Sequence, residues 1–399
     1  MLEPDPEARR AGGDATSETA AQPLVVYGDA SLAYDFGPGH PLTPKRFGPG
    51  IDLLRSVGAD RFLSPPTAGE EALCRVHEPG YVATVRRVSR DPATASEAGF
   101  APWGDNPPFR GMHGAAAAVA GGSIAAAAAI LDGSTLRAFH PGGGLHHAMP
   151  SRASGFCIYN DVALAVALAR DAGHRVMYVD LDVHHGDGVQ AVFWDDPRVL
   201  TVSIHETGFA LFPGSGHSVE RGGPAALGSS VNVPLEPGTG DASWLAAVES
   251  VVPPLAAAWR PTFLVSQHGC DTHLYDPLAH LRLTTAAMGA AARLLDAVAE
   301  EHTGGRWLAT GGGGYDIHRV VPRAWTLTWL AQARRPVPTA VPDDWLQRWA
   351  GPAARADQLP LPDQFEDDPA IAPIEPADAA LRNARVAKDA VGVALRLLG

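Results

Sequence analysis

The segment Asp180-Leu-Asp182-Val-His184-His185-Gly186-Asp187-Gly188 places three carboxylates and two imidazoles directly behind an apolar run. Acids this close together are costly to bury without a compensating charge, so the segment reads as a metal site. Arg175-Val-Met-Tyr-Val179, introduced by Gly173, has the composition of a buried strand. In an extended chain, side chains two apart share a face, so Asp182 and His184 are expected to meet one ion while Leu181 and Val183 pack behind them. Gly186 and Gly188 permit a sharp turn and leave Asp187 and His185 to orient the ligands. A third ligand is offered by Asp271, at the end of Ser266-Gln-His-Gly-Cys-Asp271. Two carboxylates and an imidazole with a position left open to water make a catalytic arrangement. Zinc suits that set first, and Fe(II) is acceptable to the same ligand types. Two further imidazoles, His146 and His147, lie in the glycine-rich segment Pro141–Pro150, which lets the backbone come close to whatever lies above it.

Positioning these groups requires a repeated strand-and-helix frame. A short strand is expected at Leu24–Tyr27, followed by runs at Arg137–His140, Arg175–Val179, Val199–Ile204, Phe263–Ser266 and Trp307–Thr310. Helical stretches at Asp161–Arg170, Ser243–Ala258 and Thr284–Glu300 separate them. This alternation predicts an α/β fold with a largely parallel sheet and helices on both faces. The polar residues follow strand ends: His146 and His147 the second run, Asp182 and His184 the third, His205 the fourth, Asp271 the fifth and Tyr315 the last. One crevice at the carboxyl edge of the sheet would collect them.

Composition narrows the function further. The chain has 399 residues, of which 46% are hydrophobic and 19% charged, enough apolar material for a large core. Its 31 basic against 44 acidic residues give a net charge of −13, and no basic cluster interrupts it, so nucleic acid is not an expected partner. Cys74, Cys157 and Cys270 form no Cys-x-x-Cys pair, which fits a reducing compartment. The acidic start at Glu3, Asp5 and Glu7 shows no secretory signal, so the expected location is the cytoplasm. Ala115–Leu131 is read as a packed interior helix, too short for a membrane span, and no membrane association is expected. The expected organisation is a tail over 1–22, a metal-dependent domain over 23–345, and a Pro/Ala-rich linker with a helix over 346–399. In that helix Leu381, Ala384, Ala387, Val391, Leu395 and Leu398 would form an apolar stripe, docking on the same domain or on a partner.

Four segments resemble the histone deacetylase superfamily: Gly143-Gly-Leu-His-His-Ala148, Gly155-Phe-Cys-Ile-Tyr-Asn-Asp161, Asp180–Gly188 and Gly311-Gly-Gly-Gly-Tyr315. The similarity runs from about residue 24 to 335. Tyr34–Pro41, Asp105-Asn-Pro-Pro-Phe109 and His205-Glu-Thr-Gly208 are similar to the bacterial acetoin utilization protein branch. The resemblance implies an arginase-like fold and zinc-dependent removal of acyl groups from amines. It implies that His146 pairs with Asp180 and His147 with Asp187, leaving open which histidine is base and which is acid, and that Tyr315 donates to the substrate carbonyl. It further implies channel walls at Gly155, Phe156 and Phe212, rim contacts at Leu278 and Asp105, and acetate release at Arg46. Potassium is implied at Asp180, Ser203 and Ile204, with a second site near Phe193 and Val199. The chain departs from the family pattern at His140-Pro141 and Gln267-His-Gly-Cys270, on the pocket floor. The branch implies an acetylated protein or peptide as substrate, for example acetyl-CoA synthetase. The alternatives are an acetylpolyamine amidohydrolase, which usually carries a channel-narrowing insertion that is not evident here, and a catalytically silent acyl-lysine binder.

Overall fold

The structure, a computed structural model, describes residues 22–95 and 98–398, so the expected N-terminal tail lies almost wholly outside the described residues. Strands β1 (Leu24–Val26), β2 (Phe62–Leu63), β3 (Arg137–His140), β4 (Val176–Asp180), β5 (Val199–Glu206), β6 (Ser230–Leu235), β7 (Phe263–Gln267) and β8 (Trp307–Thr310) form one sheet in the order β2-β1-β3-β8-β7-β4-β5-β6. Every pairing is parallel. The period-2 pattern of β4 shows how both faces are filled. Met177 and Val179 join one buried apolar cluster, and Val176 and Tyr178 join the cluster on the opposite face.

Helices Asp161–Asp171, Asp241–Trp259 and Thr285–Thr303 lie where the apolar periodicity places them. The edge strand β6 escaped the sequence reading because Asn232 and Pro234 disguise it. Proline is tolerated at an edge, where its missing N–H costs no ladder bond.

Met112–Leu131 forms a helix of 20 residues, three longer at its start than the sequence reading allowed. It is long and apolar enough to cross a bilayer, yet 67% of its apolar window is buried within the protein. Small side chains permit this packing: a methyl at Gly121 would sit 1.8 Å from the Pro66 carbonyl oxygen.

The segment read as a linker contains a helix, Asp343–Arg355, and returns to the domain through Phe365 and Asp367. Arg323 donates to Asp367 at 2.7 Å, the Thr285 hydroxyl donates to the same carboxylate at 2.8 Å, and His273 Nε2 lies 3.0 Å away. Burial alone would raise the Asp367 pKa, but His273 and Arg323 outweigh it and hold the carboxyl well below its usual range. The Arg323 and Asp367 side chains are 1% and 6% exposed. Removing one partner therefore strands a buried charge, and Asp367→Ala should lower unfolding stability by about 3–5 kcal/mol in urea titration. Asp52→Ala, which breaks the more exposed Arg348–Asp52 pair, should cost much less.

Beyond this return, the helix Ala377–Leu398 docks on the same domain, covering β6 and the helix Asp241–Trp259. Its buried residues are Ala379, Asn383, Ala387, Ala390 and Ala394; of the expected stripe, Ala387 is buried and Val391, Leu395 and Leu398 pack against the core, whereas Ala384 is exposed and Leu381 is 74% exposed. Small residues win because the helix lies close to the sheet. Asn383 is buried because its carbonyl accepts from Glu236 N at 2.9 Å and its amide donates to Thr239 Oγ1 at 2.8 Å.

Candidate active site

Four strand ends converge on one crevice. β4 ends at Asp180, and the chain then bends through Asp182, Val183 and His184 before a short helix begins at Asp187. Asp182 and His184 therefore share a turn rather than an extended strand face, although Leu181 and Val183 are buried behind them as expected. The turn is closed by the Asp182 carboxylate, which accepts from His184 N at 3.0 Å. Beyond β7, Asp271 comes in from the side and accepts from Val183 N at 3.1 Å.

Asp182, His184 and Asp271 are buried, and one potential ligand atom from each lies within 4.8 Å of the others. His184 Nδ1 is 3.0 Å from Asp182 Oδ1 and 3.2 Å from Asp271 Oδ2. Burial opposes a charge on His184, but its bonds to the two carboxylates outweigh burial and raise its pKa well above the usual value. Burial, followed by the charge of Asp182, pushes Asp271 up to about 6. The set thus demands a positive charge at its centre, which a divalent cation with N and O ligands supplies, so the residues fit a metal. The glycine run leaves the room: a Cβ at Gly313 would lie 1.9 Å from Asp271 Oδ2.

Beside this set, the β3 loop delivers two histidines with separate partners. His146 Nδ1 is 2.7 Å from Asp180 Oδ2, which also accepts from the Tyr178 hydroxyl at 2.5 Å, and His147 Nδ1 is 2.6 Å from Asp187 Oδ1. The two Nε2 atoms are 3.0 Å apart. Burial works against a charged His146, but Asp180 and Asp182 overcome it and raise its pKa to about 9. Burial and the neighbouring His146 charge push His147 down to about 4, against the opposing pull of Asp187. The pair is thereby pushed in opposite directions, His146 toward its charged form and His147 toward its neutral form.

A cavity of about 270 Å3 stands over these groups. Asp105, Gly155, Phe156, Phe212, Leu278 and Tyr315 line it together with His146, His147 and the three candidate ligands. Gly155, at φ +50°, must lack a side chain because a Cβ there would lie 2.5 Å from His147 Cδ2. Phe156 is held at φ +68°, a conformation rarely adopted by a bulky residue, while its carbonyl accepts from the Tyr34 hydroxyl at 2.8 Å. Its ring meets Tyr315 edge-on at 6.0 Å. Burial, reinforced by Asp271 and Asp182, keeps the Tyr315 phenol neutral. Arg46 is buried, donates to Gly312 O at 2.7 Å, and lines a small internal void that shares Leu42 and Leu145 with the main cavity. In the β4–β5 ladder, Asp180 and Ser203 are direct partners and Ile204 follows; Phe193 and Val199 are buried nearby in the chain.

Several residues of the site lie in segments that the sequence singles out without assigning them a role. Gln267, at the family departure, donates to Asp182 Oδ2 at 2.7 Å and so holds a candidate ligand from behind. Asp161 accepts from Gly144 N at 3.1 Å and Leu145 N at 2.8 Å, fixing the glycine loop. His140 lies 2.7 Å from Ser123 Oγ, whose hydroxyl donates to Asp161. Conversely, His185 does not orient the ligands: its ring lies 2.9 Å from Ser215 Oγ and 3.2 Å from Gln190 Oε1. His205 turns away to Ser203 and Gly216.

Comparison with known proteins agrees with this geometry. The histone deacetylase domain profile matches residues 40–332. The acetoin utilization protein AcuC of Bacillus subtilis (strain 168) is 41% identical over 332 residues, covering 82% of this chain and 86% of that protein. AcuC of Staphylococcus xylosus is 38% identical over 352 residues, covering 86% and 90% respectively. A crystal structure of a histone deacetylase homologue complexed with SAHA superposes with a TM-score of 0.81 at 26% identity, covering 92% of this chain and 100% of that one. The homologue from Aquifex aeolicus gives 0.80 with the same identity and coverage. The chain belongs to the histone deacetylase superfamily, in its acetoin utilization protein branch, and is a deacetylase-type hydrolase acting on amides.

Proposed function

We propose that this hydrolase removes the acetyl group from acetyl-lysine in protein or peptide substrates, with zinc as its resident metal and Fe(II) as the other ion its ligands accept. The observation that carries this reading is the lining of the cavity, shared by exposed Asp105, half-buried Leu278, the rings of Phe156 and Phe212, the phenol of Tyr315, and buried Asp182, His184 and Asp271. Such a channel suits an alkyl-amine stem with its amide at the floor.

Asp182, His184 and Asp271 would hold a divalent ion, which would supply Lewis-acid polarisation and acidification of water. The protein supplies the rest. His147, oriented at Nδ1 by Asp187 and pushed toward its neutral form, leaves Nε2 to take up a proton and deliver it to the departing amine. His146, held by Asp180 and pushed toward its charged form, offers electrostatic support to the negative charge that develops beside it. Tyr315 donates its phenol hydrogen to the carbonyl oxygen as it becomes an oxyanion. Arg46 gives the acetate product a cationic exit. Potassium is proposed at Asp180, Ser203 and Ile204, whose oxygens are of the hard type, and near Phe193 and Val199. The protein acts in the cytoplasm in this reading, and acetyl-CoA synthetase stands as an example of its substrates.

The rim separates a protein deacetylase from an acetylpolyamine amidohydrolase. Only a peptide offers backbone amides for Asp105 to hold, so Asp105→Ala should lower kcat/KM on an acetyl-lysine peptide by about 10- to 100-fold, the worth of a hydrogen bond to a charged group. Turnover of a small acetylated amine should change little. Equal losses on both substrates would favour the polyamine reading.

A further inference from the structure

The geometry points to Asp276 as a positioning residue that ties the loop carrying Tyr315 to the channel rim. Its carboxylate, 6% exposed, accepts from Tyr315 N through Oδ2 at 3.0 Å and from Leu278 N through Oδ1 at 3.0 Å. One side chain thus fixes the backbone of the residue that meets the substrate oxygen and of the residue that lines the channel mouth. The Tyr315 carbonyl is held separately, accepting from Gln358 Nε2 at 3.4 Å.

The other anchors of the glycine run stop short of the tyrosine: His268 N donates to Gly311 O at 3.1 Å, Arg46 to Gly312 O at 2.7 Å, and Gly313 N to Asp182 Oδ2 at 2.9 Å. Gly311 to Gly314 have no side chains to pack, and Gly312 and Gly314 adopt φ values of +150° and +142° that other residues rarely reach. A tyrosine at the end of such a segment needs its backbone anchored from outside. Asp276 is itself anchored: its N–H donates to His273 O at 2.9 Å, and the His273 ring accepts from Tyr275 N at 3.1 Å and faces Asp367. The chain of contacts runs from the buried Arg323–Asp367 pair, through His273, to Tyr315. The hydrogen bonds of the Asp276 carboxyl go to Tyr315 N and Leu278 N, while Asp271 and His184 act on it through charge alone, so metal content is followed beside turnover.

This inference rests on the proposed role of Tyr315, and the test separates the two. Asp276→Asn keeps the shape but turns an amide donor toward one of the two N–H groups. In the wild-type background it should lower kcat by about 10- to 100-fold, the cost of misplacing a reacting group by about 1 Å, and raise KM for an acetyl-lysine peptide through the Leu278 arm. In the Tyr315→Phe background the kcat penalty should shrink to less than about 3-fold while the KM rise persists, because the clamp then has no hydroxyl to position. Metal content should stay at the wild-type level throughout. If Asp276→Asn fails to fold, Asp276→Glu, which displaces the acceptors by one methylene, takes its place with the same expectations. Multiplying kcat losses, an unchanged kcat in the single variant, or loss of metal would overturn the clamp. An unchanged kcat in Tyr315→Phe alone would overturn the tyrosine's role and the clamp with it.

Discussion

Tyr315→Phe should lower kcat on an acetyl-lysine peptide by about 10²–10³, equivalent to roughly 3–4 kcal/mol of transition-state stabilisation, the usual worth of one oxyanion donor. Peptide affinity should fall far less. The phenol matters most when the carbonyl oxygen gains charge, and the walls that hold the alkyl stem, Phe156 and Phe212, are untouched by the change. The two quantities need to be measured together, kcat by acetate release and affinity by calorimetry. Unchanged turnover would remove Tyr315 from the chemistry.

Loss of a metal ligand should cost more. Asp182 and Asp271 are both buried and both face His184, so neither can be replaced by solvent without leaving the other carboxylate beside a single imidazole. Asp182→Ala and Asp271→Ala should each abolish stoichiometric metal binding and reduce activity by about 10³ or more, since a Lewis acid contributes several kcal/mol to such a reaction. Elemental analysis beside turnover decides this. Full metal content in both variants would show that the ion is held elsewhere.

The parallel sheet was legible because its strands are continuous apolar runs, and Trp307–Thr310 was placed to the residue. The cluster Asp182, His184 and Asp271 was legible because buried acids without cations are rare, a rule that holds whatever the local backbone does. The backbone differs from the expectation: strand alternation predicts a shared face for Asp182 and His184, whereas a bend after Asp180 brings them together. β6 was missed because Pro234 argues against a strand everywhere except an edge. The C-terminal helix faces the domain as expected through Ala387, Val391, Leu395 and Leu398, but at its start hydrophobicity points to Leu381 whereas close packing selects Ala379 and Asn383. Gln267, Asp161 and Asp276 act through side-chain hydrogen bonds to Asp182, to Gly144 and Leu145, and to Tyr315, groups distant in sequence. No local pattern marks such contacts.

The central claim, amide hydrolysis at a metal held by Asp182, His184 and Asp271, is tested most directly by following acetate release from an acetyl-lysine peptide with the zinc-loaded protein. The same preparation should be followed after chelation and again after zinc is restored. The account predicts one acetate and one free lysine side chain per peptide, loss of release on chelation and recovery on reloading. A protein that carries a full complement of zinc, binds the peptide and releases no acetate would contradict it.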